Sequence, residues 1–373
     1  MIKEITIIST LPPIKGISPY TVGLVEELCK NIKIHFLGFN KIYPRFAYPG
    51  DICDYSQKTI ESNDNLIIRN VLNWYNPIQW IIEAFRIKTK IIHAQWWSWF
   101  LAPMYWFILG INRLRGKKII LTIHNVIPHE KNKIKIWLNK SVYKYANEFI
   151  VHTERSKIDL MKITNNKKKI YTLPIGLTIP VLTNLTKEDA RKRLNITNDK
   201  KILLCFGNIR DYKGVDVAIK SLSLIKDEKV VLMIVGQCWG KWDKYQKIID
   251  EYKLNDRIIL NLDFIPSDSI EQIFKASDLA LLPYKHFDAA SAVGSLVLPY
   301  EIPMIVSDVG GLPDLVEDDN CIFEPEKVEQ LKERICNILN NKELYNKILN
   351  DIKFTKNKYL WSNIALKTME TYI

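Results

Sequence analysis

The stretch Lys201-Ile-Leu-Leu-Cys-Phe-Gly-Asn-Ile-Arg-Asp-Tyr-Lys-Gly214 reads as the joint between a buried strand and a helix. Residues 202–206 form a continuous apolar run closed by Gly207, the pattern of a strand covered on both faces in a parallel sheet. Val215, Ala218, Ile219 and Leu222 then recur at i, i+3, i+4 and i+7, so the chain re-enters as a helix with one apolar face. In a strand-loop-helix unit the loop lies at the strand's carboxyl end beside a positively polarised helix terminus, where open α/β sheets bind ligands. Arg210 and Lys213 sit in that loop, and a planar fork beside a point charge suits a diphosphate. The alternative reading of the same two residues is a solvated basic loop.

Composition agrees with a soluble α/β chain. The 373 residues are 47% apolar and 25% charged, enough for two domains with separate cores. Charge is unevenly placed: residues 1–180 carry 26 Lys and Arg against 12 Asp and Glu, net +14, and residues 181–373 carry 27 against 29, net −2. The first half therefore suits an anionic partner such as a membrane leaflet, a phosphate-bearing acceptor or nucleic acid. Six cysteines at 29, 53, 205, 238, 321 and 336 show neither a Cys-x-x-Cys pair nor zinc spacing, and read as reduced packing residues of a cytosolic protein. The N-terminus reads as a first strand rather than a signal peptide.

Outward from the central stretch, residues 3–8, 32–37, 66–68, 90–95, 118–123, 148–152 and 170–173 read as strands of a first domain. Ser18 and Pro19 read as an N-cap and first helical position, and Gly16 before them permits close backbone approach or a plain turn. Residues 74–85 and 134–145 read as helices. Residues 96–111 are the most apolar segment, yet shorter than the roughly 20 residues a spanning helix needs; a buried or membrane-facing helix with a basic end is expected. Residues 174–180 and the polar run to Lys200 read as a linker. Beyond it, apolar runs at 230–235, 258–262 and 279–282 alternate with helical patterns, which implies parallel β-α-β units. No Gly-x-Gly-x-x-Gly run is present, which counts against a nicotinamide dehydrogenase.

Three motifs carry a resemblance. Thr-x-His-Asn-x-x-Pro-His-Glu at 122–130, Gly-x-Ile-Arg-x-Tyr-Lys-Gly at 207–214, and the segment 288–314 with its Gly-Gly-Leu-Pro-Asp end resemble, in this order along the chain, glycosyltransferase family 4, retaining enzymes of the GT-B fold. The resemblance implies that Arg210 and Lys213 hold the diphosphate of a nucleotide-sugar, although this chain has Asn208 where many members place an Arg directly after the first Gly. It implies that His124 lies near the donor sugar, with His129 and Glu130 closer to the acceptor. Gly16, Gly236, Ser291, Ala292 and Val293 match donor-binding positions. The family's Glu-x7-Glu pattern is degenerate: Asp288 stands at the first carboxylate and Leu296 at the second.

The implied fold is α/β GT-B: two Rossmann-like parallel-sheet domains facing a cleft, with a C-terminal helix returning to the first domain. The expected boundaries are 1–180 plus 355–373 for the first domain, 181–198 for the linker and 199–354 for the nucleotide-sugar-binding domain. The implied activity is metal-independent transfer of a hexosyl group, with retention, from a UDP- or GDP-linked sugar to a glycan or lipid-linked acceptor. No Asp-x-Asp pair occurs, no cofactor is expected because the nucleotide-sugar is a substrate, and no metal ligands are assigned. Localisation is expected to be cytoplasmic, with peripheral contact at the inner membrane face through the basic first domain. Two other readings of the fold stay open, a non-catalytic scaffold and a sugar-nucleotide epimerase; nucleic acid is not expected as a partner, since no recognition motif appears.

Overall fold

The structure, a computed structural model, describes residues 3–44, 53–55, 59–126, 133–164, 168–177, 182–263, 265–266, 269–287 and 290–373. The chain divides into two compact units, Met1–Gly176 with Tyr359–Ile373, and Leu177–Lys358.

In the first unit the described strands are β1 (Glu4–Ile8), β2 (Lys33–Lys41), β3 (Leu66–Asn73), β4 (Ile91–Trp96), β5 (Lys118–Ile123), β6 (Glu148–Val151) and β7 (Lys169–Thr172). They pair in the order β3-β2-β1-β4-β5-β6-β7, all parallel. The helices are α1 (Ser18–Leu28), α2 (Pro77–Arg86), α3 (Ala102–Leu114), α4 (Lys133–Tyr143) and α5 (Glu154–Thr164). Alternation along β5 shows why both faces are covered: Ile119 and Leu121 pack under α2, α3, α4 and α5, whereas Ile120 packs with Leu24, Val25 and Leu28 of α1 on the other side. Each such fully buried side chain is worth about 1.5–3 kcal/mol.

The second unit holds β8 (Lys201–Phe206), β9 (Val230–Val235), β10 (Ile258–Asn261), β11 (Leu279–Leu282), β12 (Met304–Ser307) and β13 (Ile322–Phe323), parallel in the order β10-β9-β8-β11-β12-β13. Its helices are α6 (Lys187–Arg193), α7 (Val215–Ser223), α8 (Asp243–Glu251), α9 (Ile270–Ala276), α10 (Ala292–Val297), α11 (Val328–Asn340) and α12 (Lys342–Lys358). The last helix, α13 (Trp361–Glu370), returns to the first unit and packs on α1. Its Trp361 ring occupies the space above Gly23 and Gly176, where a Cβ on either glycine would fall 2.2 Å from the indole.

Three expectations are corrected. Residues 181–198 are not a plain linker: they contain α6, capped by Thr186, whose side chain accepts from the Asp189 amide. Buried Arg191 of α6 pairs with Asp278 at 2.7 Å and donates to Ala276 C=O at 3.0 Å, tying the helix to the second unit. The polar sequence hid this helix because the bond that docks it is ionic rather than apolar. Ser18 is not an N-cap: it is the first residue of α1, Ile17 holds the cap position, and the Ser18 hydroxyl donates instead to Thr10 at 2.9 Å. The helix expected from 74 begins at Pro77, because Asn76 caps it by accepting from the Gln79 amide at 3.1 Å. The sequence also left α5 unassigned, since Leu160 is its one buried residue and so thin a stripe gives no periodic signal. Among the described residues no helix is long and apolar enough to cross a membrane.

Candidate functional site

In an open parallel sheet the ligand crevice forms where strand order reverses. In the second unit that point lies between β8 and β11. The chain leaving β8 turns at Gly207 (φ +99°), passes Ile209 and Arg210, makes a single 3-10 turn at Asp211–Lys213, and enters α7 through Gly214 (φ +65°). Gly214 is required twice over: its backbone is left-handed, and a Cβ there would fall 1.8 Å from the carbonyl oxygen of Pro283, beyond β11. Gly236, beyond β9, runs against Gly207, where a Cβ would meet the Gly207 carbonyl at 2.5 Å. Two hydrogen bonds hold the loops together, Ile209 N–H to Gln237 C=O at 2.8 Å and Trp239 N–H to Ile209 C=O at 2.9 Å.

Lys213 folds back over this turn. Its Nζ lies 3.0 Å from the place a Gly207 Cβ would take, beside the Val293 side chain, and 5.5 Å from the Tyr284 ring centre. Burial, reinforced by the Arg210 charge, pushes its ammonium down to about 8. The Arg210 guanidinium lies 3.9 Å above the Trp239 ring, and its buried Nε has no hydrogen-bond partner among the described residues. Among those residues, neither cation has a carboxylate in ion-pairing range. Two half-buried cations left side by side form a site for an anion, since like charges repel until a negative charge arrives. Ser291 caps α10 by accepting from the Gly294 amide at 3.1 Å. Ala292 and Val293 open that helix, and Val293 reaches the Gly207 turn. Arg210, Lys213, Gly236 and Val293 therefore share one place; Asp288 lies outside the described residues.

In the first unit the order reverses between β1 and β4. Gly16 (φ +93°) lies in the loop leaving β1, and a Cβ there would meet nothing within 4 Å. Among the described residues nothing but this positive-φ backbone asks for a glycine there, which fits the plain-turn alternative of the two readings. His124 follows β5, anchored by its amide to Trp96 C=O at 2.9 Å. Both ring nitrogens are engaged, Nε2 with the Gln95 amide at 3.0 Å and Nδ1 with His152 Nε2 at 3.0 Å. Tyr20 stands edge-on to both rings. Burial and then the His152 neighbour hold the His124 imidazole well below its usual value, so it is neutral. Burial pushes His152 down to about 4. His152 Nδ1 faces the Leu173 carbonyl at 3.0 Å, an acceptor only, so it carries the proton. His152 Nε2 then accepts from His124 Nδ1–H, while His124 Nε2 faces Gln95 Oε1, which also accepts from the Thr21 hydroxyl at 3.3 Å. His129 and Glu130 lie outside the described residues.

The sequence did not single out Gln95, His152 or Tyr284 for these sites. A usable signal existed for His152, which is, like His124, the polar residue that ends an apolar strand; none existed for the Gln95 contact, which depends on strand order.

Residues 186–353 match the family model described as "Glycosyl transferases group 1". An uncharacterised glycosyltransferase of Methanocaldococcus jannaschii is 21% identical over 62% of this chain and 58% of its own length, so the chain spans less than two thirds of that relative. The lipopolysaccharide 1,2-N-acetylglucosaminetransferase of Salmonella typhimurium is 21% identical over 92% of this chain and 84% of its own. Among solved structures, Anabaena HepE in complex with UDP superposes with a TM-score of 0.69 over 99% of both chains at 13% identity. Residues 186–353 are thus similar to glycosyl transferases group 1, and the fold is that of GT-B glycosyltransferases, two Rossmann-like parallel-sheet units.

Proposed function

We propose that the protein is a glycosyltransferase that moves a hexosyl group from a UDP- or GDP-linked sugar to a glycan or lipid-linked acceptor, with retention at the anomeric carbon. The observation that carries this reading is the pair Arg210 and Lys213 at the switch point of the second unit's sheet, both half-buried and without a carboxylate among the described residues. As the bond between the anomeric carbon and the diphosphate breaks, negative charge builds on the phosphate oxygens. A fixed Lys213 ammonium and the Arg210 fork meet that charge without reorganising, which is worth about 3 kcal/mol per donor. With its ammonium near 8, Lys213 is about nine-tenths charged at pH 7, and a bound diphosphate raises that share.

The named relatives support a sugar-transfer reading, and HepE, with UDP bound, supports a nucleotide-sugar donor. In this reading Asp288 and His124 serve the donor sugar, and His129 and Glu130 the acceptor. Neither a metal ion nor a cofactor is part of it. Leu296, in the place of a carboxylate, favours one second reading, a non-catalytic scaffold that binds a sugar nucleotide.

Thermal-shift titration with UDP and GDP tests the donor site. At 100 times its dissociation constant a nucleotide adds about 2.7 kcal/mol, a visible rise in Tm. One of the two should stabilise the wild type and fail to stabilise Lys213→Ala. If neither shifts the folded wild type, the donor site is wrong; binding without nucleotide release across a panel of sugar donors and glycan acceptors selects the scaffold.

A further inference from the structure

Helix α2 is apolar on its outer face as well as on its inner one, where Trp80 and Ala84 are buried. Ile78, Ile81, Ile82 and Phe85 recur at i, i+3, i+4 and i+7, a complete apolar stripe, yet all four face solvent, with Ile78 70% and Phe85 60% exposed. What the helix turns inward includes its single carboxylate, Glu83, which pairs with Arg69 and Arg86 at 2.9 and 2.8 Å. An ordinary surface helix keeps its outer face polar. Its neighbours extend the surface: α3 packs on α2 and exposes Phe107 and Leu114, the latter at 91%, while α4 packs on α3 and exposes Ile134 and Trp137. Trp80 against Phe107 and Trp106 against Trp137 bridge the three helices, with ring centres 5.9 Å apart in both pairs.

The surroundings of this surface are of one sign. Residues 74–118 and 133–144 hold eleven Lys and Arg against one acid, the buried Glu83. Arg86, Lys88, Arg113, Arg115, Lys133 and Lys140 are exposed, and the Arg115 guanidinium lies 5.7 Å above the Phe85 ring. A second copy of the same face would bring these cations together and repel, whereas an anionic bilayer satisfies both the apolar stripe and the charge.

We propose that the outer face of α2, α3 and α4 docks on an anionic lipid surface, with the α2 stripe seated at the headgroup boundary. The claim rests on the first unit alone and is independent of the donor site. The test is co-flotation of the full chain with vesicles of phosphatidylcholine, alone or mixed with phosphatidylglycerol. The wild type should float with the anionic vesicles and not with the neutral ones, and added salt should release it. Ile78→Glu with Ile82→Glu, both exposed and so compatible with folding, should weaken that binding more than tenfold, as loss of two buried aliphatic side chains requires. Arg113→Glu with Lys133→Glu should weaken it without touching the stripe. Failure of the wild type to float, or equal flotation of the stripe variant, overturns the proposal. So does light scattering that shows a dimer lost in the stripe variant, because the face then belongs to a second copy.

Discussion

The imidazoles of His124 and His152 meet nitrogen to nitrogen at 3.0 Å, and neither is charged at neutral pH. Unfolded histidine titrates near 6.5, whereas burial holds His152 down to about 4 in the folded protein. Between those values the unfolded chain binds the extra proton, so stability is present in full above pH 6.5 and is lost as pH falls toward 4. For His152 the loss is on the order of 3 kcal/mol. Urea midpoints at pH 7 and pH 5 should show the fall, and His152→Asn should reduce it; equal acid sensitivity in both proteins would remove the pair as its cause.

Lys213 should give nucleotide binding a pH limit of its own. Burial and Arg210 bring its ammonium to about 8, so affinity for a nucleoside diphosphate should decline as pH rises through that value. Lys213→Arg, which stays charged, should flatten the profile. Lys213→Ala should lower kcat/KM by about 100-fold or more, as for loss of one preorganised donor. Calorimetric titration between pH 7 and 9 decides the first two points, and steady-state kinetics the third.

Two glycines of the same backbone class should respond differently to alanine. Gly16→Ala meets open space and suffers only the left-handed backbone, about 1–2 kcal/mol. Gly214→Ala adds a collision with the Pro283 carbonyl, and should cost about 4 kcal/mol or more, or prevent folding of the second unit. Comparable unfolding midpoints for the two variants would refute the steric argument.

Asp278 fastens α6 to the second unit. Its carboxylate takes hydrogen bonds from Arg191 at 2.7 Å, Lys187 at 2.5 Å and the Ile202 amide at 2.6 Å. Asp278→Ala leaves Arg191 buried without its counter-charge and should cost about 3–5 kcal/mol. Replacing Arg191 by Met in the same chain should restore part of that loss, measured by chemical denaturation; no recovery would place the cost elsewhere.

Local pattern along the chain was enough for the elements and their class. Uninterrupted apolar runs such as Val230–Val235 read as strands buried on both faces, and Gly207 marks where such a run breaks into a loop, so the parallel-sheet class and the Arg210–Lys213 loop were legible. Which loops share a place came from packing. The meeting of Gly236 with Gly207, of Val293 with Lys213, and of His124 with Gln95 and His152 follows from strand order, and a strand's own residues do not encode its neighbour. The same reason hid α6, whose docking bond joins Arg191 to a carboxylate 87 residues away, and concealed that the apolar stripe of α2 points outward. Periodicity reveals that a helix has an apolar face; only packing shows which way that face is turned.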